Sequence, residues 1–214
     1  MNIGIKILNK LVLEFQNRTN KYFAQYRVRK VNDAKFTVIS NNCWAGSLYR
    51  WLGLQYRTPT VGLYFYAEDY LKFLQRLDYY LSLDFEKITI EQSKYREKLY
   101  AKGQINVPIG KLDDIEVIFL HYDTFENAVD SWNRRKKRIC ADNLYVKMSE
   151  MNDCTPEIIR QFDTLPYRHK FIFVTHDYGI KSQIISKDWV NESQIKDDTS
   201  WFNKYINIIT FLNG

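Results

Sequence analysis

The chain has 214 residues, 45% hydrophobic and 16% aromatic, which is enough for one substantial core and too apolar for a disordered polymer. Its net charge of +6 lies wholly in the first thirty residues, where Lys6, Lys10, Arg18, Lys21, Arg27, Arg29 and Lys30 stand against the single acid Glu14. The neutral remainder excludes a domain built around a phosphate-tracking nucleic-acid surface.

The basic N-terminal segment reads as an amphipathic helix, residues 1–30. Leu8, Leu11, Val12, Phe15, Tyr22, Phe23 and Tyr26 share one face, with Lys6, Lys10 and Lys21 opposite. Its apolar stripe is suited to packing on the domain or a second subunit (a homodimer contact), or to resting on anionic lipid as a peripheral membrane contact. Residues 31–214 alternate strand and helix signals, so the expected fold class is α/β: a single three-layer α/β/α domain with a mainly parallel sheet. A strand over Lys35 to Ser40 leads into a helix from Trp44 to about Leu54, closed by Gly53. A short strand from Thr60 to Tyr66 precedes a long helix from Ala67 to about Leu83, with Tyr70, Leu74, Leu77 and Leu81 as its buried stripe. Ile88 to Ile90 reads as a strand, and Glu91 to Gln104 as a short helix with a surface loop. Ile115 to Leu120 is the clearest buried strand; a helix from a Thr124 cap to about Arg138 follows. Leu144 to Met148 reads as a strand, Thr155-Pro156-Glu157 as a helix start, Phe171 to Thr175 as a strand and Tyr205 to Leu212 as a terminal strand.

No apolar run of about 18 residues and no leader with a small-residue cleavage site occurs, so a cytoplasmic protein is expected. Cys43, Cys140 and Cys154 form no C-x-x-C pair, which argues for reduced thiols and against a structural zinc site.

In open α/β sheets, ligands gather beyond the carboxyl ends of the strands. Three predicted strands end in reactive clusters there: Asn41-Asn42-Cys43, His121-Tyr122-Asp123 and His176-Asp177. Cys43 falls at a helix N-terminus, where backbone amides and the dipole favour a thiolate. The same amides, with Asn41 and Asn42, are equally suited to cradle an anion, and a buried structural cysteine is the plain alternative. A cysteine nucleophile needs a base oriented by a third group. In a continuing strand His121 and Asp123 point to the same side, whereas His176 and Asp177 diverge, so His121 with Asp123 is the better pair. Arg134, Arg135 and Arg138 close the following helix and form either a solvated basic face or a clamp for a phosphorylated or acidic substrate. No metal is assigned, and no glycine-rich phosphate loop or Asp-x-Asp element is found.

These residues carry a resemblance. Ile39-Ser-Asn-Asn-Cys-Trp-Ala-Gly46, Tyr49-Arg50, Leu52-Gly-Leu-Gln-Tyr56 and Thr58-Pro-Thr-Val-Gly-Leu63 resemble the opening of a bacterial family, domain of unknown function 1919. Phe119-Leu-His-Tyr122, Trp132-Asn-Arg-Arg-Lys-Lys-Arg-Ile139 and Asn143-Leu144 resemble its later motif. The resemblance implies a part in exopolysaccharide or capsule biosynthesis. The layout is more distantly similar to papain-like cysteine peptidases, which implicates Cys43, His121, Asp123, Arg134 and Arg135. The expectation is therefore a surface-polysaccharide enzyme, a transferase or thiol-dependent hydrolase. Cys43, His121 and Asp123 are its catalytic candidates; Asn41, Asn42, Arg134, Arg135, Arg138, His176 and Asp177 contact an anionic sugar-type small molecule, and nucleic acid is not a partner. The alternative is a non-catalytic protein that binds a nucleotide sugar or a polysaccharide intermediate, or an assembly partner at the membrane.

Overall fold

The computed structural model describes residues 18–20, 22–200 and 202–214. The expected apolar positions Leu8, Leu11, Val12 and Phe15 lie outside the described residues. Helix α1 (residues 22–28) precedes β1 (Thr37–Ser40), α2 (Trp44–Leu52), α3 (Ala67–Gln75) and α4 (Leu77–Ser82). Then come β2 (Glu86–Ile88), α5 (Arg96–Ala101), β3 (Ile109–Leu112), β4 (Ile115–Ile118) and α6 (Phe125–Lys136). The chain ends with β5 (Leu144–Ser149), α7 (Pro156–Thr164), β6 (His169–Val174), β7 (Gln183–Ile185) and α8 (Ile208–Leu212).

The fold is a mixed α/β structure with two sheets. One is fully parallel in the order β1-β5-β6-β7; the other is antiparallel in the order β2-β3-β4. Alternation along the parallel strands sends side chains to two separate cores. Ile39, Val146, Met148, Ile172 and Val174 meet residues of α3, α6, α7 and β4 on one face. Val38, Tyr145, Phe171 and Phe173 meet Trp44, Leu48 and Leu52 of α2 and Ile208 and Leu212 of α8 on the other. A smaller cluster joins Tyr64, Tyr66, Ile88 and Ile118 to Tyr95 and Leu99. The Tyr70 hydroxyl on α3 sits 3.0 Å from the Ile39 carbonyl and 2.8 Å from that of Lys147, fixing the helix to two adjacent strands.

Several local expectations hold for the physical reasons given. The Thr124 side chain accepts from the Asn127 amide at 3.2 Å, and Thr155 caps α7 with Pro156 in its first turn. Gly53 ends α2 in the left-handed region (φ 65°), with the Leu54 amide returning to the Tyr49 carbonyl.

Others are corrected. The strand Ile115–Ile118, expected in the mainly parallel sheet, belongs to the antiparallel one. Thr60–Tyr66 is extended but pairs only through a single bridge, Tyr64 to Ile118, because Pro59 and a left-handed Gly62 (φ 81°) interrupt it. The long helix from Ala67 breaks at Arg76 (φ −135°, ψ 46°) into α3 and α4. The terminal β-branched stretch is helix α8, started by an Asn207 cap on the Thr210 amide, because Ile208 and Leu212 are buried at i, i+4 spacing. Strand β7 carries no clear signal: its three residues form only the sheet edge.

Gly53 also makes room for α1, since a Cβ there would come within 2.8 Å of the Ala24 Cβ. A side chain at this position must bear both the left-handed backbone and that clash. Gly53→Ala is expected to lower unfolding free energy by about 1–2 kcal/mol or more. The check is urea denaturation, with a lower midpoint at an unchanged slope.

Candidate functional site

Beyond the carboxyl ends of β1 and β5 lies a cleft of about 370 Å³. Asn42, Cys43, Met151 and Asn152 line it from those strand ends, Leu120 and His121 from the segment after β4, and Lys102 and Gln104 from the loop after α5. The remaining wall is the stretch Gln194–Thr199.

A buried ion pair ties this wall to the sheet. Lys147, in the middle of β5, is fully buried, and its ammonium contacts the Asp198 carboxylate. It faces the α2 side, 5.7 Å from the Trp44 ring and 5.5 Å from that of Phe173. The Asn42 amide nitrogen donates to Asp198 Oδ1 at 2.7 Å, and its oxygen accepts from Lys147 Nζ and the Trp44 amide, both at 3.1 Å. The Ser149 hydroxyl donates to the second Asp198 oxygen. Burial pushes the Lys147 ammonium downward and the Asp198 charge opposes it. A lone lysine at this depth is costly, so its charge depends on these oxygens.

Cys43 and His121 reach the same cleft through one stretch of backbone. The Cys43 thiol donates to the Leu63 carbonyl at 3.8 Å, and the His121 amide donates to the Gly62 carbonyl at 2.9 Å. Only a residue free to adopt a positive φ fits at position 62, where the Tyr122 ring would lie 2.9 Å from a Cβ. Burial raises the Cys43 thiol above the ordinary range; a backbone hydrogen bond at Gly62 opposes this, the Asp198 charge adds to it, and Arg50 and Lys147 pull the other way. The helix-terminus amides that were to stabilise a thiolate are engaged: Trp44 N–H with Asn42 and Ala45 N–H with the Ser40 hydroxyl at 3.3 Å. Burial likewise raises Cys154.

The other anticipated residues stand elsewhere. Asp123 lines a different depression, beside Lys87 and Glu126. The strand stops at Ile118 and turns at Leu120-His121, so the alternation that would align His121 with Asp123 ends before reaching them. Asn41 is fully buried and exchanges two 3.1 Å hydrogen bonds with the Ser149 backbone, which extends the pairing of β1 and β5. Arg135 donates to the Val61 carbonyl at 3.1 Å and Arg138 to that of Tyr56 at 3.3 Å, bracing the loop between α2 and α3; Arg134 is exposed beside Ser131. None of the three arginines lines the cleft. His176 shares a 3.0 Å hydrogen bond with Thr175 and packs against Tyr178, while Asp177 accepts from the Gly179 amide at 2.8 Å and from Gln183. Among the described residues, no three of His, Cys, Asp and Glu gather into a metal-binding group.

The sequence reading missed Lys147, Asp198, Lys102 and Lys196. Lys147 alone left a signal, a charge inside the apolar run Leu144-Tyr-Val-Lys-Met148, which demands a buried partner. A raised thiol must lose its proton at higher pH than an exposed one. Alkylation of Cys43 in the folded protein is therefore expected to begin above the ordinary thiol range and to lag an unstructured cysteine peptide at neutral pH. Peptide mass spectrometry across a pH series reads this directly.

Comparison with known proteins agrees with the resemblance. Residues 14–213 match a family described as Domain of unknown function (DUF1919). A protein of Haemophilus influenzae (strain Rd), described as "Uncharacterized protein", is 32% identical over 183 residues, which span 85% of this chain and 82% of the relative.

Proposed function

The chain belongs to the DUF1919 family, and from that premise we propose that it acts in bacterial surface polysaccharide (exopolysaccharide or capsule) biosynthesis, in the cytoplasm, on an anionic sugar-type substrate held in the cleft. The observation that carries this reading is the meeting of Cys43, His121, Lys102 and Lys196 on one cavity. The thiol, the imidazole and the two ammonium groups, that of Lys196 paired with Glu192 at 2.6 Å, share the cavity with Asp197 and Asp198, a mixed lining that suits a sugar carrying both hydroxyls and a negative group, and a volume of about 370 Å³ accommodates a sugar phosphate. Lys102 and Lys196 take the anion-holding role first given to the arginines.

In the catalytic form of this reading, His121 accepts the Cys43 proton as substrate binds, and the thiolate forms a C–S bond at the sugar carbon that bears the phosphate while the C–O bond to that phosphate breaks, the phosphate leaving with the electron pair and the proton on His121 passing to it. The second reading is binding without chemistry. It is favoured by one specific observation: the resting thiol is raised and donates to a carbonyl, the reverse of a preformed nucleophile. The two cores flanking the parallel sheet also support describing the main body as a three-layer α/β/α unit, with the antiparallel sheet attached.

Thermal melting of the full chain with a panel of sugar phosphates and nucleotide sugars tests both readings. The proposal expects an upward shift with at least one anionic member and none with the neutral sugars. Lys102→Ala with Lys196→Ala is expected to weaken the response about tenfold or more in apparent affinity, a loss of about 1.4 kcal/mol, and Arg134→Ala to leave it unchanged. Survival of the shift in Cys43→Ser, with turnover abolished, favours the enzyme; survival with no turnover in either protein favours the binding protein. No shift across the panel contradicts the proposal.

A further inference from the structure

The N-terminal helical segment is docked by one face and presents the other. Ala24 and Val31 are buried, and Arg27 donates to the Trp51 carbonyl at 2.9 Å with its guanidinium 4.6 Å from the Trp51 ring. This anchoring sets the opposite face outward. Tyr22, Phe23 and Tyr26 are 71%, 52% and 61% exposed, and although Phe23 borders a depression shared with Trp51 and Phe202, most of this stripe's aromatic surface faces outward. Lys30 lies over the Tyr26 ring at 4.3 Å, and Arg18 and Arg29 are exposed nearby in sequence. Residues 18–30 contain five cations and no acid.

We propose that this aromatic and basic face is a docking surface for an anionic lipid bilayer. Two features select this occupant over a second copy of the chain. A two-fold dimer through the patch would bring like-charged segments together, each with five cations and no acid over residues 18–30. An anionic leaflet offers the opposite sign, at about 1 kcal/mol per basic residue near the surface. Tyrosine and phenylalanine beside lysine and arginine also suit the headgroup level, where ring bodies enter the acyl boundary and cations stay with the phosphates. No helix among the described residues is long and apolar enough to cross a membrane, and the contact proposed is a peripheral one. Gly53 and Trp51 on and just after α2 hold the helix, which places the lipid-facing patch on the same body as the cleft.

The test is co-sedimentation of the full chain with vesicles of phosphatidylcholine alone and of equimolar phosphatidylglycerol and phosphatidylcholine. Partitioning onto the anionic vesicles is expected to be about tenfold stronger or more, and to weaken as salt is raised. Phe23→Ser with Tyr26→Ser is expected to remove most of it while leaving the circular dichroism spectrum of the folded chain unchanged, since more than half of each ring is exposed. Should that pair fail to fold, Arg18→Glu with Arg29→Glu provides an independent charge reversal with the same expected loss. Equal partitioning onto both vesicle types, retention in the folded variants, or no vesicle binding together with a dimer by light scattering that Phe23→Ser with Tyr26→Ser dissolves, would each overturn the proposal.

Discussion

The Lys147–Asp198 ion pair is the interaction on which the cleft depends. Asp198 lies some fifty residues downstream of Lys147 in a segment without regular structure, yet its carboxylate is buried against the middle of the parallel sheet. The burial of that charge and of the lysine is tolerated because the carboxylate also accepts from Asn42 and Ser149 and the ammonium also donates to Asn42. The Ile195 amide, donating 2.8 Å to the Glu150 carbonyl, adds a second tie nearby. Together they turn Gln194–Thr199 from a surface loop into a wall, and the space between that wall, Cys43 and His121 is the cleft.

The same pair sets the electrical character of the site. Asn42 joins it to the start of α2, so the charge pair and the helix terminus beside Cys43 form one hydrogen-bonded unit. Lys147 and Asp198 act on the thiol with opposite signs, and burial decides the outcome in favour of the protonated form.

Much of the fold was legible where local chemistry settles it. Caps at Thr124 and Thr155, the Gly53 terminus of α2 and the buried runs of β1, β5 and β6 follow from side chains acting within a few residues. The assignment of Ile115–Ile118 to a second, antiparallel sheet was not legible, because a short apolar run fits either environment. The β-branched residues at the C-terminus misled for a related reason: tertiary burial of Ile208 and Leu212 overrides strand propensity. In the candidate site, Asn42, Cys43 and His121 were singled out from their positions after strands, and all three line the cleft. Asp198 was not singled out, since an acid in a polar loop looks the same whether solvated or drawn into the core. The arginines at 134, 135 and 138 showed the opposite problem, a conspicuous cluster whose half-buried members brace carbonyls of a neighbouring loop.

The most direct test of this account is a double-mutant cycle on Lys147 and Asp198, read by urea unfolding at neutral pH. The account predicts that Lys147→Met alone lowers stability by about 3–5 kcal/mol, because it strands a buried carboxylate, and that Lys147→Met with Asp198→Leu regains much of that loss. A near-neutral effect of Lys147→Met, or two losses that simply add, would contradict it and leave the Gln194–Thr199 wall without its anchor.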